Sequence, residues 1–147
     1  MSPLNRIIFF VDGEPKGQPR PKAFSRGGIA SVYDPGTAEN WKSQIAAAAK
    51  TAGLAGMMLE GPIQFLGKCF FARPKSHYRS GKMAHLLRPD APFYHIKKPD
   101  FDNLGKAVCD CLTHIGAWKD DSQVADGRIV KMYSDAHAYC AFHITRL

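Results

Sequence analysis

Five aspartates, Asp100, Asp102, Asp110, Asp120 and Asp121, fall within twenty-two residues of a chain that is otherwise basic. Before position 100 the chain carries fifteen Lys and Arg against six Asp and Glu; from Asp100 onward it carries five against seven, and the net charge is +7. Carboxylate oxygens are hard ligands that suit Mg²⁺ or Mn²⁺, ions that keep several waters and bind through few carboxylates together with substrate phosphate oxygens. An acidic focus on a basic body is what a metal-dependent enzyme acting on phosphates would need. A solvated acidic face is the plainer alternative, and spacing has to separate the two.

Pro99 biases Lys98 toward an extended backbone. If the extension runs through Asp102, then Asp100 and Asp102 project to the same side, because side chains alternate along a strand. Asp102 would also make a good N-cap for a helix starting at Asn103. The alternative is a helix cap and an unrelated surface aspartate. Lys106 and Asp110 follow Asp102 at intervals of four, on one helical stripe opposite the apolar face. Lys106 and Gly105 are poor local choices for a first turn, since the helix dipole disfavours Lys there and Gly costs about 1 kcal/mol against Ala. Such violations gather where function overrides local preference; a surface Lys106–Asp110 pair is the other reading. One of Asp120 and Asp121, returning after the short segment His114 to Lys119, would complete a three-carboxylate site.

Other metal chemistries fit less well. Asp100-x-Asp102 with Gly105 at the sixth position has the start of a calcium loop, but the twelfth position is Cys111, where a bidentate Glu belongs. Cys109-x-Cys111 with His114 does not make a zinc site, because residues two apart on a helix do not face each other and Cys111 belongs to the apolar stripe. No phosphate-binding glycine loop followed by Lys-Ser/Thr, no His-Glu-x-x-His and no Gly-x-Ser-x-Gly occurs.

The elements that must position these acids follow from periodicity. Arg6 to Val11 reads as a buried strand, closed by Asp12-Gly13, and a loop rich in Pro, Gly and basic residues follows over Glu14 to Gly28. A helix is expected from Thr37 to Ala52, with Trp41, Ile45, Ala48, Ala49 and Ala52 on one face and Gly53 as its stop. Ile63 to Ala72 is a second strand. Residues 73–98 form an irregular basic insert, with His77, Tyr78, Phe93, Tyr94 and His95 among its lysines and arginines. A helix from Leu104 to Ile115, carried by Leu104, Ala107, Val108, Cys111, Leu112 and Ile115, ends at Gly116. Strands over Ala125 to Tyr133 and Ala136 to Thr145 close the chain. This order predicts a mixed α/β (α+β) fold: one domain over residues 1–147, a small mixed sheet packed by two main helices.

With 147 residues, 45% of them hydrophobic, the chain is long enough for one core and short for two. No stretch approaches the roughly 20 apolar residues of a membrane span, and no basic segment followed by an apolar run opens the chain, so a cytoplasmic protein is expected. Cys69, Cys109, Cys111 and Cys140 lie inside apolar periodic segments and read as reduced core thiols. Arg20, Lys22, Arg26, Arg73, Lys75, Arg79, Lys97, Lys98 and Lys131 are candidates for phosphate contacts, and Tyr78, Phe93 and Tyr94 for stacking on opened bases or for packing.

The run Lys98-Pro-Asp100-Phe-Asp102-Asn103-Leu-Gly-Lys106-Ala-Val-Cys-Asp110-Cys-Leu-Thr113, then Gly116-Ala-Trp118-Lys-Asp120-Asp121-Ser-Gln123-Val124, continuing into Val130-Lys131-Met132, resembles the signature of the RusA-like Holliday junction resolvases. Weaker similarity to phage and prophage members covers the opening strand, Pro15 to Pro21 and Tyr33-Asp34-Pro35; residues 73–97 are poorly covered. The resemblance implies that Asp100, Asp102 and Asp121 are metal-binding catalytic aspartates and Lys106 a catalytic lysine, with Asp120, Asn103 and Asp110 in support. It further implies a homodimer that binds four-way DNA junctions and cuts two opposed strands with Mg²⁺, Mn²⁺ substituting. A flap or branched-DNA nuclease of other specificity and a non-catalytic junction-binding protein are the competing expectations.

Overall fold

In a computed structural model of the chain, which describes residues 6–17, 22–26, 29–33 and 39–147, four strands form a mixed sheet in the order β1-β6-β4-β5. They are β1 (Arg6–Asp12), β4 (Ile63–Ala72), β5 (Val124–Ser134) and β6 (Tyr139–Arg146). β6 lies antiparallel between β1 and β4, and β4 pairs parallel with β5. A parallel pair needs a crossover, and here it runs from Arg73 to Gln123 and contains helix α2 (Phe101–His114). The fold expected from the sequence is thus the one observed, with α1 (Glu39–Thr51) as the second helix.

Alternation along β4 decides which face is covered. Ile63, Phe65, Gly67, Cys69 and Phe71 are buried, whereas Gln64, Leu66, Lys68 and Phe70 between them are only half-buried. Trp41, Ile45 and Ala49 of α1 and Leu104, Ala107, Val108, Cys111 and Leu112 of α2 bury themselves on that face. α1 lies against β1 and α2 against β5. At the centre Phe142 meets Phe9, Phe65 and Trp41. Gly67 makes this possible: a Cβ there would come within 2.6 Å of Ile129 Cδ1 and 3.0 Å of Phe142 Cε1.

Two expectations change. The Pro- and Gly-rich loop over Glu14 to Gly28 instead contains β2 (Lys22–Arg26), which pairs antiparallel with β3 (Ile29–Tyr33) as a separate two-stranded sheet. Arg26 opposes Ile29, so Gly27-Gly28 spans the connection, the two-residue spacing that hairpins favour. The expected helix start at Thr37 lies outside the described residues, as do Asp34 and Pro35.

Residues 73–98 are also more tied down than their composition suggests. His95 N–H donates to the Lys131 carbonyl and Tyr133 N–H to the Phe93 carbonyl, which fastens this segment along the outer edge of β5. Arg73 is drawn inward. It donates to Asp135 at 2.9 Å and to the Pro92 carbonyl at 2.6 Å, with only 6% of its side chain exposed. His95 is buried, stacked on Phe71 with ring centroids 3.7 Å apart, and its Nδ1 has no partner among the described residues. Among the described residues no helix is long and apolar enough to cross a membrane.

Burial first, then the charges of Lys131 and Lys97, hold His95 below the ordinary 6.5. A base depressed in the folded state is protonated more readily when unfolded, so its stabilising contribution is present above about pH 6.5 and is lost as the pH falls. The melting temperature should therefore drop on acidification from about pH 7 to pH 5, less steeply in His95→Phe. Parallel pH profiles for the two proteins would contradict this.

Candidate functional site

α2 begins three residues earlier than its apolar stripe suggests. Asp100, with φ −70° and ψ 150°, is the N-cap residue, Phe101 the first helical residue, and the first helical bond runs from Leu104 N–H to the Asp100 carbonyl at 3.2 Å. The expected N-cap at Asp102 and its strand-like alternation with Asp100 are therefore corrected. Asp102 lies in the first turn, where a negative charge suits the helix dipole equally well, and its Oδ1 accepts from Asn103 N–H at 3.0 Å. Periodicity misses this because Phe101 faces solvent, 64% exposed, and contributes nothing to the buried stripe.

Asp100 does not use its side chain as a cap; its Oδ2 accepts from Lys98 Nζ at 3.1 Å, with 48% of the aspartate side chain exposed. The backbone around it is held from two sides. Lys131 Nζ donates to the Lys97 carbonyl, and burial pulls Lys131 below the ordinary lysine value while Asp100 pulls it up, so the ammonium acts on both sides of the Lys98–Pro99 peptide. From the other side Gly17 closes in: a Cβ there would stand 2.9 Å from Pro99 Cβ and 3.2 Å from Asn103 Cβ. Half-buried Asn103 thus meets the strand-β1 side of the chain through Gly17, a contact with no signal in the sequence beyond a glycine in a Pro- and Lys-rich run.

One stripe of α2 carries the remaining polar groups. Lys106 Nζ lies 3.4 Å from Asp110 and keeps 61% of its side chain exposed. Asp121 opens a 3-10 turn, Asp121–Gln123, for which Asp120 is the cap. Asp120 Oδ1 accepts from Ser122 N–H at 2.8 Å, and that bond, first among several, holds its carboxyl below the ordinary range. Gln123 closes the same box: its Oε1 accepts from Lys119 and Asp120 N–H, while its Nε2 donates to the carbonyls of Leu59 and Gly61. Asp120 and Gln123 therefore hold the turn, and Asp121 is left exposed at its start.

Asp121 is near enough to Cys109 to raise its thiol. Among the described residues no three His, Cys, Asp or Glu side chains converge to hold one ion. The acids fit a hydrated cation that binds through one or two carboxylates, with waters and phosphate oxygens completing its shell; they do not form a closed three-carboxylate cage.

Lys75, Arg79, Lys97 and Lys98 are exposed. Lys22 and Arg26 stand at the two ends of β2, and Arg20 lies outside the described residues. Asp102 and Lys106 line a cleft of about 170 Å³ between α2 and β5.

A small α+β protein thus presents carboxylates at the start of a helix with a lysine one turn on. The comparisons name the lineage: the model of the family described as endodeoxyribonuclease RusA matches residues 12–140, and the chain belongs to that family of DNA-cleaving enzymes. The uncharacterized protein YqaN of Bacillus subtilis (strain 168) is 36% identical over 137 residues, 90% of this chain and 91% of that protein. The crossover junction endodeoxyribonuclease RusA of Escherichia coli (strain K12) is 56% identical over 36 residues, 24% of this chain and 30% of that protein. The RusA crossover junction endodeoxyribonuclease of Enterobacteria phage 82 matches to the same extent.

Burial first, then Asp121 and Asp110, push the Cys109 thiol up to about 12. Since the thiolate is the reactive form, Cys109 should alkylate at pH 8 at least about tenfold more slowly in the folded protein than in urea, read by mass spectrometry. Equal rates would contradict this placement.

Proposed function

We propose that the protein is a Mg²⁺-dependent, structure-specific endodeoxyribonuclease that resolves four-way DNA junctions by phosphodiester hydrolysis, in recombination and repair. The observation that carries this reading is the pair of half-buried Asp100 and exposed Asp102 at the start of α2, one turn from Lys106, in a chain of the RusA family. Asp100, Asp102 and Asp121 would hold the metal, one or two of them directly and the remainder through its bound waters. When bound, the ion supplies an activated water and offsets the charge that develops on the phosphate, and Mn²⁺ substitutes for it.

The protein's own groups divide the remaining work. Lys106 contacts the scissile phosphate or its leaving oxygen, and Asp110, 3.4 Å from its ammonium, sets where that charge points. Asp120 holds the turn that presents Asp121, and Asn103, in the first turn of α2, packs against Gly17. Lys75, Arg79, Lys97 and Lys98, with Arg20, Lys22 and Arg26 at the front of the chain, contact DNA phosphates. Arg73 is left out of that set because its guanidinium is committed to Asp135 and Pro92. Lys131 is left out because its ammonium is committed to the Lys97 carbonyl.

Symmetric cutting of a four-way junction requires two active sites related by a two-fold axis, which a homodimer supplies. The site of action is the cytoplasm of a bacterial cell, and the chain is of phage or prophage type. A labelled synthetic junction, a flap and a linear duplex, each with and without Mg²⁺, test the reading. Paired cuts in opposed strands, confined to the junction and dependent on the metal, are expected. Equal cutting of the flap would replace the resolvase with a nuclease of broader specificity, and binding without any cutting would remove the enzyme.

A further inference from the structure

Two glycines sit where local preference argues against them. Gly105 lies in the second turn of α2, where it costs about 1 kcal/mol against Ala, and Gly127 lies inside β5, where Gly weakens a strand. Both line the same cleft between α2 and β5. A Cβ at Gly105 would reach ordinary contact with Ile129 Cγ1 at 3.6 Å, and one at Gly127 would meet Val124 Cγ1 at 3.4 Å. Neither glycine is therefore forced by crowding, and any side chain longer than Ala at Gly105 would enter the cleft.

The lining is that of a ring-binding slot. Its floor is Phe65, 3% exposed, and Ile129, which leans over Gly67. Phe101 forms part of its wall with 64% of its surface free, although α2 could have buried an aromatic elsewhere. Arg128 is exposed on the β5 side and makes no ion pair among the described residues. The volume of about 170 Å³ compares with the ~150 Å³ in which an apolar cavity takes up benzene. Apolar walls, an aromatic face and cationic groups suit a planar heteroaromatic ring carried on a phosphodiester.

We infer that this cleft binds one unstacked nucleobase of the DNA strand being cut, stacked against Phe101, with Arg128 on the adjoining phosphate. The inference rests on the proposed DNA substrate, and it gives the site a means of recognising opened bases beside the scissile bond. Reading of the base would follow from the shape of the cleft walls, so cleavage would depend on which base enters.

Affinity for synthetic four-way junctions in EDTA, each with one abasic nucleotide scanned past the cut position, tests it with the whole protein. For the wild type, one abasic position beside the scissile phosphate should weaken binding about tenfold, the lower end of what stacking on an aromatic contributes. Gly105→Leu, which fills the slot while raising helix propensity, and Phe101→Ala, an exposed position, should each bind the intact junction about tenfold more weakly and lose that abasic penalty. A flat scan with tight junction binding overturns the cleft as a base site and leaves the nuclease reading standing. The same abasic penalty in both variants also overturns it. No binding of branched DNA by the wild type would overturn both readings.

Discussion

Everything at the site depends on where α2 is allowed to start, and that is decided by the fastening of residues 93–100 to the outer edge of β5. Main-chain bonds at Phe93 and His95 hold the segment as a partial extra strand, and Lys131 adds a side-chain bond to the Lys97 carbonyl just before Pro99. Gly17 closes the other side by letting the chain press against Pro99 and Asn103. The Lys131 bond to the Lys97 carbonyl and the position of Asp100 thus stand together. The carboxylates at the helix start are consequently presented by a surface segment clamped to the sheet, which gives exposed acids the fixed placement that chemistry demands.

The same sheet carries a second consequence through one residue without a side chain. Gly67 admits Phe142 to the centre of the core and lets Ile129 lean across it, so β5 lies close under α2 without filling the space beside Gly105 and Gly127. Core packing and the open cleft are thus two results of one arrangement. On the opposite flank, Asp120 and Gln123 spend their hydrogen bonds on the 3-10 turn and on the carbonyls of Leu59 and Gly61. That anchoring leaves Asp121 exposed at the start of the turn.

Much of the fold was legible because burial imposes a period. β4 could be read to its boundaries from Ile63 to Ala72, since every second side chain enters the core, and the α2 stripe from Leu104 to Leu112 was equally plain. The start of α2 was not legible, because exposed Phe101 breaks the pattern and Asp102 serves a first turn as well as a cap. The β2–β3 hairpin was hidden by its weak apolar content, although Gly27-Gly28 between Arg26 and Ile29 was a usable signal. The docking of residues 93–98 onto β5 depends on bonds across more than thirty residues, for which composition offers no clue. Asp100, Asp102 and Lys106 were singled out by their spacing, and Asp121 by the short return of the chain over His114 to Lys119. Asp120-x-x-Gln123 carried a capping pattern that the density of acids obscured.

The most direct test of the account is single-turnover cleavage of a labelled four-way junction at saturating protein with Mg²⁺, comparing wild type, Asp102→Asn and Asp110→Asn. Asp102→Asn should bind the junction as tightly as wild type and cut it at least about a hundredfold more slowly, a loss of roughly 3 kcal/mol of transition-state stabilisation. Asp110→Asn, which only orients Lys106, should lose much less. Cleavage by Asp102→Asn at the wild-type rate would contradict the assignment of the chemistry to the start of α2.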